Sequence, residues 1–138
     1  MVPSPHLFAA SAEAASVIVA AGLVWLAAGV QHFSNIAQRG TSYVLSDRSV
    51  SPDMTGFFGR ATRTLANNVE SALMYVPAAL IVIVAGKANS LSHWAAIVYI
   101  AARLIFVMSY WLKIPNIRSF AWLTGMTACA VLYGVAVG

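Results

Sequence analysis

Arg60-Ala-Thr-Arg63-Thr-Leu-Ala-Asn67-Asn68-Val-Glu70 runs without a break into an apolar stretch that ends near Ala85. Two arginines, an asparagine and a glutamate therefore enter what otherwise reads as a membrane-crossing helix. A charge at such depth costs roughly 2.5–3.5 kcal/mol on insertion scales, so charges there face a bundle interior or a wet cavity and mark function. At about 100° per residue, Arg60, Arg63, Asn67 and Glu70 fall within about an 80° arc, one polar stripe on an apolar rod.

The rest of the chain has the same character. It is 60% hydrophobic and only 9% charged, with a mean hydropathy of +0.78. Soluble domains carry about 25% charged residues. The composition predicts an integral membrane protein whose 138 residues form one domain. The net charge of +4 is no nucleic-acid footprint, because its few basic residues sit beside apolar stretches as orientation signals do. Residues 1–12 hold no Lys or Arg, so no basic region of a secretory signal is expected there. Cys129 is a lone cysteine in an apolar run and reads as a small buried hydrophobe.

A hydrocarbon core of about 30 Å needs about 20 apolar residues as helix. Four segments qualify, at about 12–38, 57–85, 91–112 and 117–137. The fold expected is an all-α, antiparallel bundle of four transmembrane helices. Residues 40–56 form the one long, polar, turn-rich loop, with Asp47, Arg48, Pro52 and Asp53. Short turns at Gly86–Ser90 and Lys113–Asn116 make spans two and three, and spans three and four, antiparallel neighbours. Arg39, Arg48, Arg60, Lys113 and Arg118 lie on the side of the first and third loops, and Lys87 on the other. The positive-inside rule puts those loops in the cytoplasm and both termini outside. Trp94, Tyr99, Trp111 and Trp122 read as interfacial aromatics. Small residues such as Ala20, Ala27, Gly29 and Gly134 allow close helix approach, within the chain or between subunits.

Counted from the cytoplasmic side, Glu70 on span two and Arg103 on span three both lie about 15 Å deep. A buried carboxylate and guanidinium at one level should pair, since each alone is costly. Arg103 and Tyr110 share a helix face. Arg63, Asn67, Tyr110 and Arg118 are expected along the same crevice, with Ser119 beside Arg118 at the start of span four, where backbone N–H groups favour anions. Arg39 closes span one on that side. Such a site suits a small, multiply charged anion. Glutathione fits, with two carboxylates, an ammonium group and a thiol; a lipid phosphate would also fit these arginines. His32 reads as a packed or interfacial histidine, His6 and His93 fall outside or at the far interface, and no metal-ligand spacing is present.

At these residues the chain resembles the MAPEG family, membrane-associated proteins in eicosanoid and glutathione metabolism. The likeness rests on Arg63-x3-Asn67-x2-Glu70, on Arg103-x6-Tyr110, and on Pro115 with Arg118-Ser119. Residues 39–48 are similar to the first loop of bacterial members, and nearly the whole chain is covered. The resemblance implies a homotrimer with glutathione held between subunits near the cytoplasmic face of a bacterial inner membrane. It implies glutathione contacts at Arg39, Arg63, Asn67, Glu70, Arg103 and Tyr110, and a thiolate-stabilising Arg118 with Ser119 beside it. It further implies transfer of glutathione to small hydrophobic electrophiles, or reduction of lipid hydroperoxides. Ser71, Phe106 and Ala66 depart from the tyrosine, histidine and arginine of other members, so fewer polar contacts to glutathione are expected. A module without enzymatic activity, binding a lipid headgroup or serving a larger membrane complex, is the alternative.

Overall fold

The computed structural model describes residues 11–138. The readings of the chain start and of His6 lie outside them. Five helices follow in order: α1 (Ala12–Arg39), α2 (Thr41–Val44), α3 (Gly56–Val84), α4 (Ser90–Trp111) and α5 (Pro115–Val137). Helices α1, α3, α4 and α5 are long and apolar enough to cross a membrane. The protein is an all-helical, four-span integral membrane protein. The extra helix, α2, is a single turn inside the long loop.

Local chemistry sets the ends. Ser11 caps α1 by accepting from the Ala14 N–H. Asn89 and Ser92 form a reciprocal capping box at the start of α4. Pro115 opens α5, where its missing N–H costs nothing. Helices α3 and α4 finish in the same way. At the end of α3, Gly86 takes a positive φ of 66°, its N–H reaches the Ile83 carbonyl and the Lys87 N–H reaches Val82. At the end of α4 the equivalent position is Lys113, with φ of 61°, and the bonds run Lys113 to Tyr110 and Ile114 to Ser109. Both are Schellman ends, which favour glycine at this position.

Helix α1 packs along α3 and also touches α4, while α5 packs along α4 and also touches α3. Spans two and three, α3 and α4, meet along a narrower strip, and among the described residues α1 and α5 scarcely meet. The short turn thus joins the near diagonal of the bundle rather than its closest neighbours. Small side chains permit this. Ala78, Ala79 and Ala128 are buried around Val82, Leu132 and the stacked rings of Tyr75 and Tyr99, whose centroids lie 3.4 Å apart. Each ring has its hydroxyl satisfied, Tyr75 donating to Ser16 at 2.8 Å and Tyr99 meeting Ser71 at 2.9 Å. Cys129 is buried in this core. Near the turn between α3 and α4, buried Glu13 accepts from Ser92 at 2.5 Å, tying the start of α1 to the start of α4.

Helix α3 has 29 residues and α4 has 22. The tight turn holds them level at one end. The excess of 29 − 22 = 7 residues, about 10 Å at 1.5 Å per residue, therefore lies at the other, beside the 40–55 loop.

Candidate functional site

Arg103 is a buried charge within the bundle, only 2% exposed. Its Nη2 donates to Asn67 Oδ1 at 3.1 Å and also to Asn68 Oδ1. The expected pairing with Glu70 does not form. Glu70 is exposed, on another face of α3 from Asn68, and two neutral amides take the guanidinium instead. Gly125 of α5 packs beside the arginine stem, where a Cβ would meet Arg103 Cδ at an ordinary contact distance of 3.7 Å.

From Arg103 a column of cations and rings climbs toward the loop end. The Arg103 guanidinium lies 4.4 Å from the Phe106 ring centre. Phe106 meets Tyr110 edge-on at 5.5 Å. The Arg118 guanidinium then lies 4.8 Å from the Tyr110 ring. The spacing of 103, 106 and 110 on α4 stacks these side chains on one face, and α5 brings Arg118 across from its first turn. Phe106, lacking a polar contact, thus serves as the link between two guanidinium groups, whose cations favour aromatic faces.

Two adjoining cavities share Tyr110 and Arg118 as their common wall. One, of about 260 Å³, is lined also by Asn67, Phe106, Ser119 and Trp122. The other, of about 410 Å³, is lined also by Arg60, Arg63, Ser109 and Lys113. Of the sequence-predicted residues, the structure brings together Arg63, Asn67, Arg103, Tyr110, Arg118 and Ser119. It does not bring Arg39 or Glu70 to them within one chain. Arg39 instead donates to the carbonyls of Val50 at 3.4 Å and Ser51 at 2.7 Å and lies over the Tyr43 ring, bracing the loop. Lys113, Asn68 and Trp122 were not expected at the site. The Asn67-Asn68 doublet, and the level of Lys113 beside Arg118, were the available signals.

Across the membrane-facing side, a larger apolar groove of about 980 Å³ runs between α1 and the start of α3, lined by residues including Trp25, Phe33 and Phe57. No group of three or more His, Cys, Asp or Glu that could hold a metal occurs among the described residues. Outside the spans, the Thr55 backbone N–H and hydroxyl hold the Asp53 carboxyl below the usual carboxylate range.

Fold and site together define a four-helix membrane protein with a cationic, aromatic-braced pair of cavities at one end of the bundle. The MAPEG family model matches residues 12–138, nearly the whole chain, and the chain belongs to the MAPEG family. No curated protein and no solved structure matches it.

Proposed function

We propose that the protein is a glutathione-dependent transferase or peroxidase, acting on small hydrophobic electrophiles or lipid hydroperoxides that arrive through the bilayer. The observation that carries this reading is the cavity pair walled by Tyr110 and Arg118, with Asn67 and Ser119 in the smaller member. Arg118 stabilises the thiolate. A free thiol has a pKa of about 8.5, and an adjacent cation lowers it. Ser119 adds a hydroxyl donor beside it. Arg63 and Asn67 take the carboxylates and amides of the tripeptide, and Arg103 fixes Asn67 from behind. The thiolate then attacks the electrophilic carbon and a leaving group departs. With a hydroperoxide it attacks the distal oxygen, and the O–O bond breaks to leave a sulfenic acid and an alkoxide that takes a proton as alcohol. A second glutathione then displaces water from the sulfenic acid to give the disulfide.

The working unit in this reading is a homotrimer of single-domain chains in a bacterial inner membrane. The site faces the cytoplasm and both termini lie outside. A neighbouring subunit brings Arg39 and Glu70 to the ligand, which accounts for their distance from the cavities of their own chain.

Calorimetry with glutathione and thiolate absorbance of the bound complex test the proposal directly. Binding with a thiolate signal near neutral pH is expected, and Arg118→Ala should remove most of that signal. Absence of glutathione binding, together with no turnover across a panel of electrophiles and hydroperoxides, would overturn it.

A further inference from the structure

The larger cavity is more cationic than a glutathione site requires. Arg60, Arg63, Lys113 and Arg118 all line its about 410 Å³. They are four of the eight Lys and Arg in the chain, and none of its four Asp and Glu lines the same cavity. Glutathione carries an ammonium group, and within its own chain this cavity offers no carboxylate to receive it, so any such partner would have to come from a neighbouring subunit. One guanidinium already satisfies a carboxylate through two parallel N–H bonds. Four cations around one space suit a group with more acceptor oxygens and no positive charge.

These cations are also held in place. Arg60 commits its Nε–H to the Trp111 carbonyl at 3.3 Å, which anchors the side chain and leaves its terminal nitrogens for another partner. Arg118 is braced on the Tyr110 ring. Lys113 is the most telling. It occupies the left-handed position of a Schellman end, where the matching end of α3 has Gly86. A side chain there carries backbone strain that glycine avoids. Its side chain lines the cavity in return.

The cavity sits at the ends of α3, α4 and α5, where spans meet the membrane surface, and its rim is apolar. Ile114 lines it, the exposed Phe57 ring lies 5.5 Å from the Arg60 guanidinium, and exposed Ile117 precedes Arg118 in sequence. Basic pockets between transmembrane helices at this level suit anionic lipid headgroups. We propose that this cavity holds the phosphate of an anionic phospholipid, with the acyl chains lying along Ile114, Ile117 and Phe57. Because Arg63 and Arg118 are shared, the lipid competes with any thiol ligand of the smaller cavity. The lipid site itself stands whether or not glutathione binds.

Native mass spectrometry of the detergent-extracted protein tests it, with short-chain phosphatidylglycerol, phosphatidylcholine of equal chain length, and glycerol 3-phosphate as probes. Phosphatidylglycerol should bind roughly fivefold or more tighter than phosphatidylcholine, and Lys113→Gly should remove roughly fivefold of its affinity. Lys113→Gly should at the same time raise the melting temperature, so loss of binding is not loss of fold. Arg60→Gln gives a second variant with the same expected loss. Equal affinity for the two lipids, or an unchanged affinity in both variants, overturns the proposal. Glycerol 3-phosphate binding as tightly as phosphatidylglycerol overturns the lipid assignment in favour of a soluble phosphate ester.

Discussion

The guanidinium of Arg103 is held by Asn68, a neutral amide on the facing helix, rather than by a carboxylate. Both side chains are buried, at 2% and 3% exposure. The amides orient the guanidinium and bring no opposite charge to it. Asn68→Ala takes away one acceptor from a buried cation and should cost about 2–3 kcal/mol of stability. Equilibrium unfolding in mixed detergent micelles measures this. Asn67→Ala, on the half-buried side of the same contact, should affect stability less and glutathione affinity more.

Glu70 has no partner in its own chain among the described residues, although it lies on a span. A charge on such a face needs a partner from elsewhere. If the proposed trimer forms, Glu70→Ala should leave helix content unchanged and lower the trimer fraction seen by native mass spectrometry. An unchanged oligomer would remove Glu70 from the subunit boundary.

Arg118→Ala should raise the thiol pKa of bound glutathione by about one unit or more, so conjugation at pH 7 falls about tenfold or more. Activity should recover as the pH rises past the new value. Arg118→Lys keeps the charge but loses the planar contact with Tyr110, and should fall between the two. A pH–rate profile of the three proteins decides this.

Asp53 gives a pH signature at the start of α3. Its folded pKa lies below the unfolded value because Thr55 hydrogen-bonds the carboxylate. Its contribution to stability is therefore present above the unfolded pKa, about 3.9, and is lost as the pH falls through the lower folded value. Asp53→Ala should melt earlier than the parent at pH 7, and the gap should close on acidification below about pH 4. Thermal melts at several pH values show it.

Tyr75 separates the hydroxyl from the ring in the core. Tyr75→Phe removes the bond to Ser16 and should cost about 1 kcal/mol. Tyr75→Ala opens a cavity against Tyr99 and should cost about 3–5 kcal/mol.

The four spans were legible because membrane helices announce themselves by length and apolarity, as the run from Ala72 to Val84 does. The partner of Arg103 was not. Depth along α3 places Glu70 and Asn68 within about 3 Å of one level, but they point about 200° apart around the helix. Level is readable from counting, whereas rotation is fixed by packing, here by α1 and α5 gripping α3 from two sides. For the same reason the short turn predicts that spans two and three are neighbours, while α3 and α4 meet only along a narrow strip on the near diagonal. Lys113 read as a turn residue and an orientation charge, because nothing in the sequence marks it as the left-handed position that glycine would have suited better.

The seven-residue overhang of α3 changes the meaning of its charges. The surplus covers Gly56 to Thr62, so Arg60 stands beyond the level where α4 ends and Arg63 stands at its edge. Arg60 and Arg63 therefore stand at the end of the bundle, while Arg103 is buried within it. The end of the bundle is consequently a step, with the longer α3 rising past the end of α4. In the proposed reaction, a hydrophilic thiol and a hydrophobic acceptor would meet on that step, each still in the phase that dissolves it.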